Sequence, residues 1–234
     1  MFKKIKQELR ARASPAKAKI LQRFFKTAPG EYGHGDVFIG LTVPEIRSVA
    51  ATFHDATLED IVVLLQSNIH EERLLALVLL VNQYKKAGST EQRAIYRLYV
   101  SSTKYINNWD LVDLSAEHII GAWLTDKNKA ILKQLARSKN LWERRIAIIS
   151  TFHYIKQGHP DETFRIATIL LHDPHDLIHK AVGWMLREVG KRCGQKVEES
   201  YLKTHYHTMP RTMLRYAIER FPEQKRQWYL TGKI

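Results

Sequence analysis

Within Asn108-Trp109-Asp110-Leu111-Val112-Asp113-Leu114-Ser115, the indole of Trp109 and the carboxylate of Asp113 are the side chains best suited to chemistry. They stand four residues apart in a stretch that reads as a helix, and positions i and i+4 share one helical face. An aromatic face beside a fixed negative charge can receive a cation, or positive charge that develops during a reaction. Two later segments also place an aromatic near charge: Asn140-Leu141-Trp142-Glu143-Arg144-Arg145-Ile146-Ala147, and Ile178-His179-Lys180-Ala181-Val182-Gly183-Trp184-Met185-Leu186-Arg187-Glu188. In these, Arg145, Lys180 and Arg187 suit phosphates, arginine as a bidentate fork and lysine as a point charge.

These residues must be positioned by helices, because almost every periodic segment of the chain reads as one. Ser14-Pro15 has the form of an N-cap followed by proline at the first helical position. Thr42-Val43-Pro44-Glu45 has capping-box spacing ahead of Ile46 and Val49. Further helices are predicted at about 58–67, 71–86, 90–102, 110–124, 127–137, 141–156, 161–171, 175–192, 196–204, 210–220 and 222–230. Ile61 to Leu65 has the periodicity of a buried strand, but no hairpin turn or strand partner lies near, which favours helix. Thr27 to Gly40, with Pro29 and four glycines, is the clearest irregular segment.

Arg73, Asp110, Arg144, Lys180 and Arg215 each precede an apolar helical run, at separations of 37, 34, 36 and 35 residues. A helix-pair unit of about that length, repeated several times, is the signature of an α-solenoid of HEAT or related type. The expected fold is therefore an all-α superhelical solenoid of HEAT-like repeats, one domain over residues 1–234. Equivalent helices of a solenoid line one concave face, so the basic members Arg144, Lys180 and Arg215 would gather in a positive groove.

The charge distribution agrees with that. The net charge is +13, and it is lopsided: residues 1–126 hold 16 Lys+Arg against 14 Asp+Glu, residues 127–234 hold 21 against 10. A one-sided basic surface points to a polyanion, nucleic acid before membrane headgroups. The single cysteine, Cys193, excludes an intrachain disulfide and a cysteine-cluster metal site, and fits a reducing compartment. The amino terminus has basic residues without an apolar run behind them, and the longest apolar stretch, Leu74 to Val81, is too short to cross a bilayer. A cytoplasmic protein without membrane contact is expected, with a monomer as the default.

The combination of motifs resembles the AlkD family of DNA alkylation-repair glycosylases, which are built from HEAT-like repeats. The likeness rests on Trp109 and Asp113 in the WDxVD pattern, Arg145 in NxWxxR, and Trp184 with Arg187 in KAxGWxLRE, and it extends from about Val43 to about Arg215. The resemblance implies that Asp113 is the catalytic carboxylate. It implies that Trp109 and Trp184 wall the lesion's deoxyribose, and that Arg145 holds a backbone phosphate. Arg144, Lys180, Arg187 and Arg215 are further candidates for DNA contact. The implied partner is duplex DNA containing alkylated bases, and no cofactor or metal is implied. The loop around Gly33-His34-Gly35-Asp36 resembles only part of the family.

The chemistry is coherent in its own right. A purine alkylated at N3 or N7 is cationic, its N-glycosidic bond is weakened, and cleavage develops oxocarbenium character on the sugar. A nearby ionised carboxylate would stabilise that charge and orient water, while indole faces would favour the cationic sugar and exclude bulk water.

Plainer readings compete with these. Asp113 could cap a helix or pair with an arginine, Trp184 could be core, and Arg144 could be a solvated residue beside Glu143; Trp142 reads mainly as core or repeat interface, and Trp123 as core. His172-Asp173-Pro174-His175-Asp176-Leu177-Ile178-His179 suggests a metal site, but Asp173-Pro174 has the form of a helix start. Gly33-x-Gly35 lacks the rest of a dinucleotide fingerprint, and Cys193 has no evident histidine partner. At the level of the whole protein, the rivals are a non-catalytic binder of distorted or branched DNA and a protein-interaction scaffold.

Overall fold

The computed structural model describes all 234 residues, which divide into two compact units, Met1–Ser115 and Ala116–Ile234. Both are helical, and the one β-type pairing is an isolated parallel bridge between Val37 and Ile69. No helix is long and apolar enough to cross a membrane.

The first unit contains α1 (Phe2–Ala11), α2 (Pro15–Phe24), α3 (Val43–Thr52), α4 (Leu58–Leu65), α5 (His70–Lys86), α6 (Ser89–Ser101) and all but the last residue of α7 (Trp109–Ala116). Local chemistry sets the starts. Ser14 Oγ accepts from Lys17 N ahead of Pro15, and the Glu45 carboxylate accepts from Thr42 N at 2.6 Å. Thr57 and Asp60 satisfy each other's backbone N–H groups at the start of α4, so Ile61 to Leu65 is helical as expected. Leu74 to Val81 are all buried, and α5 packs against α3, α4 and α6. Helix α1 escapes the sequence reading because its apolar stripe is only Ile5 and Leu9, both fully buried. Asp60 fastens it by accepting from Phe2 N at 2.9 Å, and Lys6 pairs with the buried Glu72 at 2.8 Å.

The second unit opens on a π-helical turn (Glu117–Gly121). It continues through α8 (Ala130–Ala136), α9 (Leu141–Ser150), α10 (Phe152–Ile155), α11 (Asp161–Ile169), α12 (Asp176–Arg192), α13 (Gln195–His205), α14 (Arg211–Ala217) and α15 (Glu223–Thr231). Helices α9, α12 and α14 form a row, each packed on the next, while α8 and α11 lie against each other and against that row. Contacts between successive helix pairs are how helical repeats bury their apolar faces.

Two expected helices are interrupted. The stretch 141–156 breaks at Ser150-Thr151, where both hydroxyls bond back to the preceding turn, Ser150 to Ile146 O at 2.6 Å and Thr151 to Ile148 O at 2.7 Å. The stretch 110–124 passes from α7 into the π turn. Trp142 is buried as expected, but Trp123 is only half-buried, with Lys127 Nζ 4.0 Å above its ring.

The repeat has a hydrogen-bond signature. Before α5, Ser67 Oγ accepts from the N–H two residues on, at 3.1 Å, and Arg73 donates to the Ser67 carbonyl at 2.9 Å. Before α9, Ser138 accepts from Asn140 N at 3.0 Å and Arg144 donates to the Ser138 carbonyl at 3.1 Å. Before α12, Asp173 accepts from His175 N at 2.9 Å and His179 Nε2 lies 2.5 Å from the Asp173 carbonyl. The histidine-aspartate run is thus a third copy of this helix start, with His179 in the arginine's place. Lys180 stands one residue beyond that register.

Candidate active site

The start of α7 carries Trp109 and is built on a buried polar network. Asn108 Oδ1 accepts from Trp109 N at 2.8 Å, and Asn108 Nδ2 donates to Asp36 at 3.1 Å. Asp110 accepts from Leu111 N at 2.9 Å and places its other oxygen 2.8 Å from His70 Nε2. The second nitrogen of His70 lies 3.1 Å from Asp36, whose other oxygen accepts from Arg73 at 2.6 Å. His70, Asp36 and Arg73 are each at most 5% exposed, so these charges must balance one another. Burial opposes a charged imidazole, but the flanking Asp110 and Asp36 outweigh it and push the His70 pKa up to about 9. Burial likewise works against the Asp36 charge, yet His70, Arg73 and Asn108 hold its pKa below the usual value. The ring is an imidazolium between two carboxylates at neutral pH.

The glycine-containing loop before α3 delivers Asp36 and is itself anchored on α5. The Glu71 carboxylate accepts from Ile39, Gly40 and Leu41 N–H groups, at 2.7 Å from Gly40. Gly40 has φ +91, and a Cβ there would stand 2.1 Å from the Ser14 carbonyl oxygen, so only glycine allows the loop this close to α2.

Rings pack above the network. Trp109 stacks on Phe25 at 5.2 Å and meets the edge of Phe24 at 6.0 Å; Phe25 stacks on Phe38, and Phe38 on His70 at 4.4 Å. Trp109 is therefore backed by the buried Phe25, with the exposed Phe24 at its edge, and is itself only half-buried, as is Asp113 one turn along α7. Beneath that turn the buried Tyr99 hydroxyl lies 2.9 Å from Ser115 Oγ, which donates to the Leu111 carbonyl. Burial and then the Asp113 charge raise the Tyr99 pKa, so the phenol stays protonated.

The remaining candidates belong to the second unit. Arg145 on α9 is 5% exposed and donates to the Leu177 carbonyl at 2.6 Å, so it also has a packing role. Arg144 is held by Asp173 at 2.6 Å as well as by the Ser138 carbonyl. On α12, Lys180 pairs with Asp176 at 2.7 Å, and Arg187 pairs with Glu219. Trp184, half-buried, lies 5.9 Å from Phe152, over which Arg192 and Lys156 are also stacked. Arg215 is exposed on α14. Counted by unit, residues 1–115 hold 16 Lys+Arg against 12 Asp+Glu, and residues 116–234 hold 21 against 12.

The sequence reading missed His70 altogether and used Asp36 and Arg73 only as a loop residue and a repeat marker. A signal was present: His70-Glu71-Glu72-Arg73 puts four ionisable residues directly ahead of the apolar run from Leu74, where buried pairing is required.

Fold and site together define an all-α helical-repeat protein with an indole–carboxylate pair on one helix. A family model for DNA alkylation repair enzymes matches residues 5–221, and the chain belongs to that family. Among solved structures, a predicted DNA alkylation repair enzyme from Enterococcus faecalis matches with a TM-score of 0.71 and 18% identity. That match covers 90% of this chain and 97% of the other, which establishes the shared fold. No curated protein sequence matches the chain.

Proposed function

We propose that this protein is a DNA glycosylase that hydrolyses the N-glycosidic bond of cationic N3- and N7-alkylated purines in duplex DNA. The observation that carries the reading is the pairing on α7 of a half-buried indole, backed by Phe24 and Phe25, with a half-buried carboxylate one turn on. Asp113 stabilises the oxocarbenium character at C1′ as the C1′–N bond breaks. The bond's electron pair goes to the departing purine and neutralises its positive charge. Water then adds at C1′ and gives up a proton, with Asp113 as the acceptor. Trp109 supplies an aromatic wall, and the resemblance assigns a second to Trp184. Arg145, with Arg144, Lys180, Arg187 and Arg215 as further candidates, bears on the phosphates. Membership of a DNA alkylation repair family and the cation-rich second unit support DNA as the partner.

In this mechanism lesion charge sets selectivity. Duplexes containing N7-methylguanine, N3-methyladenine or the neutral lesion hypoxanthine separate the possibilities. Release of the two methylpurines but not of hypoxanthine is the expected result. Comparable release of hypoxanthine would rule out selection by charge. Salt-dependent binding with no release of any base would identify a non-catalytic DNA-binding protein.

A further inference from the structure

A pocket of about 250 Å³ opens in the first unit between the glycine-containing loop, the segment leading into α5 and the segment leading into α7. Neither Trp109 nor Asp113 lines it. Its lining includes Arg73, a residue 3% exposed, whose guanidinium donates from Nη1 to the Ser67 carbonyl and from Nη2 to Asp36. The Nε–H of Arg73 is buried and has no hydrogen-bond partner. Asn107, also in the lining, has its Oδ1 buried without a partner, as an acceptor. Lys104, exposed, brings an ammonium to the rim, 4.8 Å from the centre of the Tyr105 ring. The carboxamides of Gln66 and Asn68 add further polar groups, beside Gly35 and the Tyr105 ring. The Asp36 carboxylate also lines the pocket, but both its oxygens are engaged, by Arg73 on one side and His70 and Asn108 on the other.

The unmet needs are specific: a donor with positive charge on Arg73, a second cation on Lys104, and an acceptor on Asn107 that needs a hydrogen to receive. One group answers all three, a tetrahedral oxyanion that still bears a proton. We propose that this pocket binds a phosphate that still carries a proton, hydrogen phosphate or a phosphate monoester as its monoanion, accepting from Arg73 Nε and Lys104 and donating its P–OH to Asn107 Oδ1. A phosphodiester has no such proton, so an internal DNA phosphate fits less well than a terminal or free one. The proposal does not depend on the glycosylase reading.

The test titrates inorganic phosphate into the full chain and follows backbone amides by ¹H–¹⁵N NMR, with sulfate, which carries no proton near neutral pH, as comparison. Saturable shifts at 34–36, 66–68 and 104–107 are expected, with sulfate at least several-fold weaker. Lys104→Ala, a change at an exposed side chain, should weaken phosphate about tenfold. Diffuse or non-saturating shifts, equal binding of sulfate, or an unchanged Lys104→Ala would overturn it. A short duplex carrying a 5′-phosphate or a 5′-hydroxyl, compared at about pH 6 where a monoester keeps part of its second proton, identifies the source. Tighter binding of the phosphorylated duplex that disappears in Lys104→Ala assigns a DNA end, and equal binding of the two duplexes beside saturable inorganic phosphate assigns a small phosphate ligand.

Discussion

His70 Nε2 and Asp110 Oδ2 lie 2.8 Å apart, and this contact ties the first turn of α5 to the first turn of α7. The residue before Asp110 is Trp109 and the residue three beyond it is Asp113, so the orientation of the candidate catalytic helix is set by a buried ion pair. Its other side is Asp36 on the glycine-containing loop, itself held by Arg73. Loop, α5 and α7 therefore share one electrostatic anchor beneath the indole.

That anchor makes stability pH-dependent. The folded His70 pKa of about 9 lies above its ordinary value of 6.5, so the stabilisation is present in full below about pH 6.5 and is lost as pH rises through 9. The amount is on the order of 3 kcal/mol. Urea unfolding at several pH values should show stability falling across that window, with the fall shallower in His70→Gln. Parallel curves for the two proteins would mean that His70 does not titrate there.

Gly183 fixes how closely α12 approaches α14. A Cβ at this position would lie 2.4 Å from the Met213 carbonyl oxygen and 2.5 Å from Tyr216 Cβ. Gly183→Ala should destabilise the fold by about 1–3 kcal/mol, the usual cost of overpacking, and displace the neighbouring Trp184. Unfolding by urea and Trp fluorescence check both effects.

Two arginines separate packing from DNA contact. Arg145 is buried on the Leu177 carbonyl, whereas Arg215 is exposed. Arg145→Ala should lower both stability and DNA affinity, and Arg215→Ala affinity alone. Each should flatten the dependence of log affinity on log salt by about one phosphate's worth. A slope unchanged in either variant removes that residue from the phosphate contacts.

Much of this was legible in the chain itself, for physical reasons that can be named. Helix starts at Ser14-Pro15 and Thr42 to Glu45 depend on neighbours three or fewer residues away, so short-range chemistry declares them. The repeat of about 35 residues marked Arg73 and Arg144, which prove to make the same bond to a carbonyl six residues back. The run His70 to Arg73 signalled buried charge, but the partners of His70 were illegible, because Asp36 and Asp110 lie 34 and 40 residues away and nothing in local periodicity joins them. Arg145 read as a surface fork, and only the packing of α9 against α12 reveals that it is buried. Helix α1 stayed hidden because two apolar residues in ten make too thin a stripe.

The most direct measurement is single-turnover release of N7-methylguanine from methylated duplex DNA by the wild-type protein and by Asp113→Asn. Wild-type release, slowed by about 10²–10³ in the variant while DNA affinity holds, is the expected result for loss of one preorganised electrostatic group. Release at the same rate from both proteins would contradict the role given to Asp113.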